Sequence, residues 1–67
     1  MAMLKVIEVL AQSKKSWEDA AQVAVTTASK TVRNIKSIYI KNMEATVTNG
    51  KLDEYRVNAK ISFILDG

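Results

Sequence analysis

A single helical segment, residues 16–34, constrains the fold of this chain more than any other stretch of its sequence. Ser16 is a suitable N-cap, and Asp19 follows it at the spacing of a capping box. The apolar residues of the segment recur at steps of three and four and therefore form one stripe on a helix. They are Trp17, Ala20, Ala21, Ala24, Ala28, Val32 and Ile35. Because most of them are alanine, the helix can lie close to a flat partner, and the sequence predicts one helix packed against a sheet.

The two ends of the predicted helix carry opposite charges. Glu18 lies in the first turn, whereas Lys30 and Arg33 lie near the end, where Asn34 suits a left-handed closing residue. Lys36 extends this basic cluster. Charges in these positions are typical of residues that complement the helix dipole and keep the surface solvated. Contact with the phosphate of a nucleotide is the alternative interpretation.

Three further segments have the composition of strands. Residues 4–10 are rich in β-branched side chains and apolar on both faces, which indicates a central strand or one covered by an interface. Residues 35–47 and 51–65 form two more strands, and the alternating pattern of the latter indicates one face towards the helix. Asn49-Gly50 between them is typical of a type I′ hairpin turn. The order of elements predicts an α+β fold, β-α-β-β.

The hairpin turn fixes a register for its two strands, because Thr48 then lies opposite Lys51. Continued outward, this register places Ile38 opposite Ile61, facing the helix. The face away from the helix would carry Ser37, Tyr39, Lys41, Met43 and Ala45 opposite Ser62, Lys60, Asn58, Arg56 and Glu54. A bulge would shift the register by one residue.

Size and composition exclude several classes of protein. The 67 residues suffice for one domain, residues 1–67, whose core would supply only ~3–5 kcal/mol of stability. The chain contains no cysteine or histidine, so disulfides, thiolate sites and a histidine base are absent, and oligomerisation is the remaining source of stability. The net charge of +3 is mild for a nucleic-acid binder. Neither a membrane span nor a signal peptide is visible, so we expect a cytoplasmic protein.

Four strings of the sequence, in this order and at these spacings, resemble the dodecins: KVIEVL, SWEDAA, ASKTVRNI and NGKLDEYRVNAKISFIL. The likeness covers nearly the whole chain, from Lys5 to Leu65. It implies a β-α-β-β fold in which a three-stranded antiparallel sheet wraps one helix, and twelve copies that form a hollow homododecamer of cubic symmetry. It also implies a protein that stores or buffers flavin, FMN or riboflavin, without turning over a substrate.

The resemblance further implies where a flavin would bind. In dodecins, flavins bind as stacked pairs at a two-fold interface, on the sheet face away from the helix. A tryptophan near the start of the second strand sandwiches them, and a glutamine on the third strand hydrogen-bonds the ring. These positions fall on Ser37 and Arg56 in this sequence. Losing an aromatic stack costs ~1–3 kcal/mol per ring, judged from base stacking on aromatic side chains. Flavin affinity should therefore be low unless Tyr39 or another group substitutes for the lost ring. Lys36 completes the candidate cofactor-binding residues.

Other residues admit a structural interpretation beside a functional one. Arg56 could bind a phosphate or carboxylate, or it could pair with Glu44 or Glu54. Trp17 is interpreted as a packing residue at the start of the helix rather than a flavin platform. Oxygen ligands for calcium are available at Glu8, Glu44, Asp53, Glu54 and Asp66, but their spacing matches no EF-hand and we assign no metal ligand.

The sequence leaves alternatives to the flavin hypothesis. A dodecameric shell that is structural or binds calcium is the first, and a binder of another nucleotide cofactor such as coenzyme A is the second. A nucleic-acid-binding module would require interleaved aromatic residues that the chain lacks. An enzyme is the least supported class, because no acid–base or nucleophile constellation is visible.

Overall fold

The computed structural model describes residues 3–65, which form four elements in the predicted order. They are β1 (Met3–Ser13), α1 (Trp17–Ala28), β2 (Ile35–Thr48) and β3 (Lys51–Leu65). The strands form an antiparallel sheet in the order β1-β3-β2, and α1 packs against one face of this sheet. The predicted α+β, β-α-β-β fold with a three-stranded antiparallel sheet is confirmed. No helix within residues 3–65 is long and apolar enough to cross a membrane.

The start of the helix follows the prediction. Ser16 is the N-cap, and its hydroxyl oxygen accepts a 2.9 Å hydrogen bond from the backbone N–H of Asp19. The Asp19 carboxylate in turn accepts a 2.6 Å bond from the Ser13 hydroxyl, and that hydroxyl accepts from the N–H of Lys15. These bonds join the end of β1 to the first turn of α1, because each one satisfies a group that the short connection would otherwise leave unpaired.

The predicted end of the helix at Asn34 is wrong, since α1 ends at Ala28. Ser29 caps the helix, and its N–H and hydroxyl both donate to the carbonyl of Val25. Asn34 does adopt the left-handed conformation, with φ 62°, but it ends the connection to β2. Lys30 and Arg33 therefore lie beyond the helix, and the last turn of α1 contains no basic residue.

The hairpin turn between β2 and β3 is confirmed. Asn49 and Gly50 both have positive φ, 55° and 76°, as a type I′ turn requires. Thr48 lies opposite Lys51, as predicted. A Cβ atom on Gly50 would meet no neighbour within 4 Å, so the need for glycine here arises from its backbone angle alone.

Strand β1 is longer than predicted and lies at an edge of the sheet. It extends to Ser13 and pairs along its whole length with β3, so the interpretation of residues 4–10 as a central strand is wrong. The central strand is β3, which pairs with both neighbours. The alternative that β1 is covered by an interface concerns other copies of the chain and stays a prediction.

Bulges in the β2–β3 pair correct the predicted register between residues 41 and 45. Ile38 lies opposite Ile61 as predicted, but Met43 lies opposite Val57 and Ala45 opposite Tyr55. The shift between Ile40 and Asn42 leaves Lys41 as an extra residue on β2. Met43 and Ala45 consequently share a face with the helix-facing residues of β3 and do not belong to the face away from the helix.

The buried core is small and lies between α1 and the centre of β3. The buried apolar residues of the described chain are Ala20, Ala24, Val57, Ala59 and Ile61. Ala20 and Ala24 are the members of the predicted alanine stripe that are fully covered, whereas Ala21 and Ala28 are half-buried. Small residues on the helix allow its backbone to approach the sheet, so the helix–sheet distance depends on these two alanines.

We expect Ala20→Leu to destabilise the fold by about 1–3 kcal/mol, because Ala20 is 0% exposed and added methylenes must displace either the helix or β3. Gln22→Leu, on the exposed surface of the same helix, is the matched control and should change stability by about 0.5 kcal/mol or less. Urea unfolding followed by circular dichroism measures both variants. Equal midpoints would show that the helix does not pack closely at Ala20.

Candidate functional site

The sheet face away from α1, here called the outer face, brings together most of the predicted site residues. Its side chains follow from the strand registers and the alternation of the pleat. They are Leu4, Val6, Glu8, Leu10 and Gln12 on β1, Ser37, Tyr39, Asn42 and Glu44 on β2, and Arg56, Asn58, Lys60, Ser62 and Ile64 on β3. The predicted placement of Ser37, Tyr39 and Arg56 on one face is confirmed.

Ser37 lies near the start of β2 and is bonded across the sheet. It faces Ser62 of β3, and the two exposed hydroxyls hydrogen-bond to each other. Tyr39, two residues on, lies opposite Lys60 and is 64% exposed. The phenol ring of Tyr39 is thus the largest aromatic surface on the outer face, whereas Ser37 beside it presents only a small polar side chain.

Arg56 lies in the half of the sheet near the hairpin and contacts both neighbouring strands. Its Nε donates a 2.9 Å hydrogen bond to Oε1 of Gln12 on β1, and its Nη1 lies 3.9 Å from Oε1 of Glu44 on β2. Pairing with Glu44 was one of the two structural interpretations of Arg56. Gln12 was missed, because the predicted first strand ended at Leu10 and left Gln12 in a connection.

Ser37 and Arg56 share a face but lie far apart within one protomer. Ser37 is opposite Ser62, which is six residues from Arg56 along β3. At ~3.3 Å per residue, this separation is about 20 Å. A single planar ligand of small-molecule size therefore cannot contact both side chains of the same protomer.

The middle of the outer face contains a charged contact and an unpartnered oxygen. Nζ of Lys41, the bulge residue, lies 3.5 Å from Oε2 of Glu8, so this pair bridges from β2 to β1 across β3. Oδ1 of Asn58, between the positions of Arg56 and Lys60, is buried and has no hydrogen-bond partner among residues 3–65. Lys36 is exposed at a second irregularity of β2, beside the start of the strand.

The acidic residues considered as calcium ligands are dispersed. Glu8 contacts Lys41, and Glu44 contacts Arg56. Asp53 accepts a hydrogen bond from Thr48, and its carboxylate lies 3.8 Å from Nζ of Lys14. Within residues 3–65, no group of three or more acidic side chains is close enough to hold a metal ion. Asp66, the remaining candidate, lies outside the described residues.

Trp17 joins the start of the helix to two strands. Its Nε1 donates a 2.8 Å hydrogen bond to the backbone carbonyl of Glu44, and its ring meets Tyr55 edge-on with centroids 4.8 Å apart. The interpretation of Trp17 as a packing residue is confirmed by these contacts. They lie on the helix side of the sheet, opposite the outer face.

These features define a small α+β protein whose one sheet face is left open beside a helix-covered core. The Dodecin family model matches residues 3–66, and the chain belongs to this family. The resemblance of the sequence to the dodecins is thereby confirmed.

Known proteins of this family share both sequence and structure with the chain. The calcium dodecin of Mycobacterium tuberculosis is 32% identical over 63 residues, which cover 94% of this chain and 89% of that protein. A variant of the Thermus thermophilus dodecin superimposes with a TM-score of 0.95 at 27% identity, with complete coverage of both chains. The crystal structure of the M. tuberculosis calcium dodecin, described as having a novel calcium-binding site, gives a TM-score of 0.83 at 30% identity, covering 96% of this chain and 91% of that one.

The contacts of Trp17 predict that it stabilises the fold without contributing to ligand binding. Trp17→Phe keeps an aromatic ring but loses the donor to Glu44, so we expect a loss of about 0.5–1.5 kcal/mol in unfolding free energy. Tyr39→Phe, on the exposed outer face, is the control and should change stability by about 0.5 kcal/mol or less. Urea unfolding measures both, and a Trp17 variant that unfolds like the parent but binds ligand less tightly would contradict this role.

Proposed function

We propose that this chain is the subunit of a non-enzymatic ligand-binding cage that takes flavin, FMN or riboflavin, on its outer face at contacts between copies. Dodecins are oligomeric and bind small molecules. The observation that carries the proposal is the joint exposure of Ser37, Tyr39 and Arg56 on one sheet face. These include the two positions at which dodecins are expected to hold the flavin ring. We place the cage in the cytoplasm and propose neither nucleic acid nor a membrane as its partner.

The surface of a single protomer supports assembly into a homododecamer. An apolar groove of about 660 Å³ runs between α1 and β1 and is lined by Ile7, Val9, Val23 and Ala28 among others. β1 has one unpaired edge, and its outer side carries Leu4, Val6 and Leu10, all more than half exposed. A domain with so small a core and such an edge gains stability by covering both with further copies.

The distance between Ser37 and Arg56 supports a site formed by two copies. Since about 20 Å separates them within a protomer, a flavin that uses both positions must take Ser37 from one copy and Arg56 from another. A two-fold axis produces this arrangement, because the strands of the two facing outer faces then run in opposite directions. The candidate site is therefore complete only in the assembly.

The residues present fit a flavin only in part. Tyr39 offers an exposed ring two residues from Ser37, where the aromatic platform is missing. Arg56 can donate hydrogen bonds to ring oxygens but cannot accept one, and part of its donor capacity is used by Gln12. We therefore propose weak flavin binding, with Tyr39 stacking on the ring, Arg56 at its polar edge and Lys36 near the side chain of the flavin.

Restoring the two expected groups should raise flavin affinity. Ser37→Trp combined with Arg56→Gln adds a stacking ring and a side chain that both donates and accepts. We expect riboflavin to bind at least tenfold more tightly than to the parent, about 1.4 kcal/mol. Quenching of riboflavin fluorescence in a titration measures the two affinities.

The control for this experiment is Gln22→Trp, which adds a tryptophan to the exposed surface of α1 and should leave riboflavin affinity unchanged. Size-exclusion chromatography of each variant establishes that assembly is retained. An assembled double variant that quenches riboflavin no better than the parent would show that the outer face is not a flavin site.

Native mass spectrometry of the untreated protein tests the assembly. We expect twelve copies, because the unpaired edge of β1 and the exposed apolar residues of its outer side favour contacts between protomers. Leu10→Asp, which places a charge on that side, should reduce the dodecamer in favour of smaller species. A parent protein that is a stable monomer at micromolar concentration would contradict the cage.

Calcium binding is a second candidate function, favoured by the similarity to the M. tuberculosis calcium dodecin. The described carboxylates of one protomer form no cluster, so a calcium site would draw ligands from more than one copy or from residues outside the described range. The same spectra, recorded after exposure to calcium and after treatment with a chelator, measure it. Mass increments of calcium at stoichiometric occupancy support this function, and identical masses exclude it.

A further inference from the structure

One end of the sheet, where β1 and β2 begin and β3 ends, combines several cations with few of the described carboxylates. Lys5 lies opposite Phe63 in the β1–β3 pair, and Arg33 and Lys36 flank the first residue of β2. The described carboxylates are distributed elsewhere: Glu8, Glu18, Asp19, Glu44, Asp53 and Glu54. All except Glu8 belong to the opposite half of the molecule, because Trp17 at the helix start bonds to Glu44 in the half near the hairpin.

A polar groove of about 320 Å³ opens at this basic end. It is lined by Lys5 of β1, by residues 31–33 of the connection after α1, and by residues 63–65 of β3. Among residues 3–65, no carboxylate lines it. Its volume lies at the lower end of the range of small-molecule sites, ~300–1,000 Å³, which suits a compact ligand.

Neither cation of this groove has an ion-pair partner within residues 3–65. The salt bridges of the described chain involve Lys14, Lys41 and Arg56, which lie elsewhere. Within the described part of the chain, Lys5 and Arg33 thus present two positive charges to one cavity without an opposing carboxylate. Such a pair attracts anions, and the attraction is greatest for a ligand that carries more than one negative charge.

The types of side chain in the groove indicate the class of anion. An arginine guanidinium binds phosphate oxygens through two parallel N–H donors, and a lysine ammonium binds them as a point charge. The half-buried side chains of Val32 and Phe63 form an apolar wall beside the cations. A phosphate ester with a small organic part therefore matches the groove better than an isolated inorganic ion.

We propose that Lys5 and Arg33 form an anion site that takes the phosphate or diphosphate group of a small molecule. Lys5, Ile7 and Val9 are alternate residues of β1 and therefore share one face of the sheet, and Ile7 and Val9 lie beside α1. The groove thus lies on the helix side of the sheet. It is thus separate from the outer face, and it does not depend on flavin being the ligand there. Riboflavin, which has no phosphate, would not report on this site.

Isothermal titration calorimetry of the assembled protein with inorganic pyrophosphate at low salt tests the proposal. We expect Lys5→Gln combined with Arg33→Gln to weaken pyrophosphate binding at least tenfold. Lys14→Gln combined with Lys51→Gln removes the same charge near the hairpin and should weaken binding by less than threefold. Riboflavin affinity should be the same in all three proteins.

Four results would overturn the proposal. The first is that the parent does not bind pyrophosphate. The second is an equal loss in both double variants, which would show attraction to the net charge of the protein rather than to this groove. The third is a loss of assembly in the Lys5/Arg33 variant on size-exclusion chromatography, which would assign these cations to carboxylates of another copy. Tight binding of a single-stranded oligonucleotide in preference to pyrophosphate would likewise replace the small-molecule ligand with nucleic acid.

Discussion

The close approach of α1 to β3 is the contact on which the rest of the structure depends. Ala20 and Ala24 are covered by the sheet, and Val57, Ala59 and Ile61 form its floor. Because no long side chain separates the helix from the sheet, the contact is short and buries little volume. Within residues 3–65 of one protomer, no element covers the outer face. Since one helix can cover only one face of the sheet, the opposite face stays exposed within residues 3–65.

Local signals in the sequence predicted the features that depend on a few neighbouring residues. The Ser16 cap acts through a hydroxyl three residues from its partner, and the Asn49-Gly50 turn acts through the backbone angles of two residues. The end of α1 depends on a distant partner instead. β2 must begin at Ile35 to pair with Phe63, and the N–H of Ile64 donates to the carbonyl of Asn34, so the chain leaves the helix at Ala28 although its apolar periodicity continues.

The candidate site was predictable in part, because some of its features depend on local sequence patterns and others on contacts between distant strands. Alternation along β3 sufficed to place Arg56 and Ser62 on one face, and the turn register carried Ser37 and Tyr39 to it. The contact of Arg56 with Gln12 could not be predicted, because it requires β1 to continue past Leu10 and to lie beside β3 rather than β2. Strand order in a three-stranded sheet is a property of the whole chain, and no local pattern of residues 4–13 specifies it.

The irregularities of β2 bear on how such a surface can change during evolution. Between the register shifts at Lys41 and near Thr46, each residue of β2 faces the side opposite to the one it would face in a regular hairpin. Asn42 and Glu44 therefore face outward, and Met43 faces the helix side. A regular strand would present Met43 and Ala45 instead. Inserting or deleting one residue at these points would exchange an entire polar row for an apolar one while strand order and hairpin turn stay unchanged. Relatives with the same fold can thus acquire different surface chemistry through a single-codon insertion or deletion, without a series of substitutions.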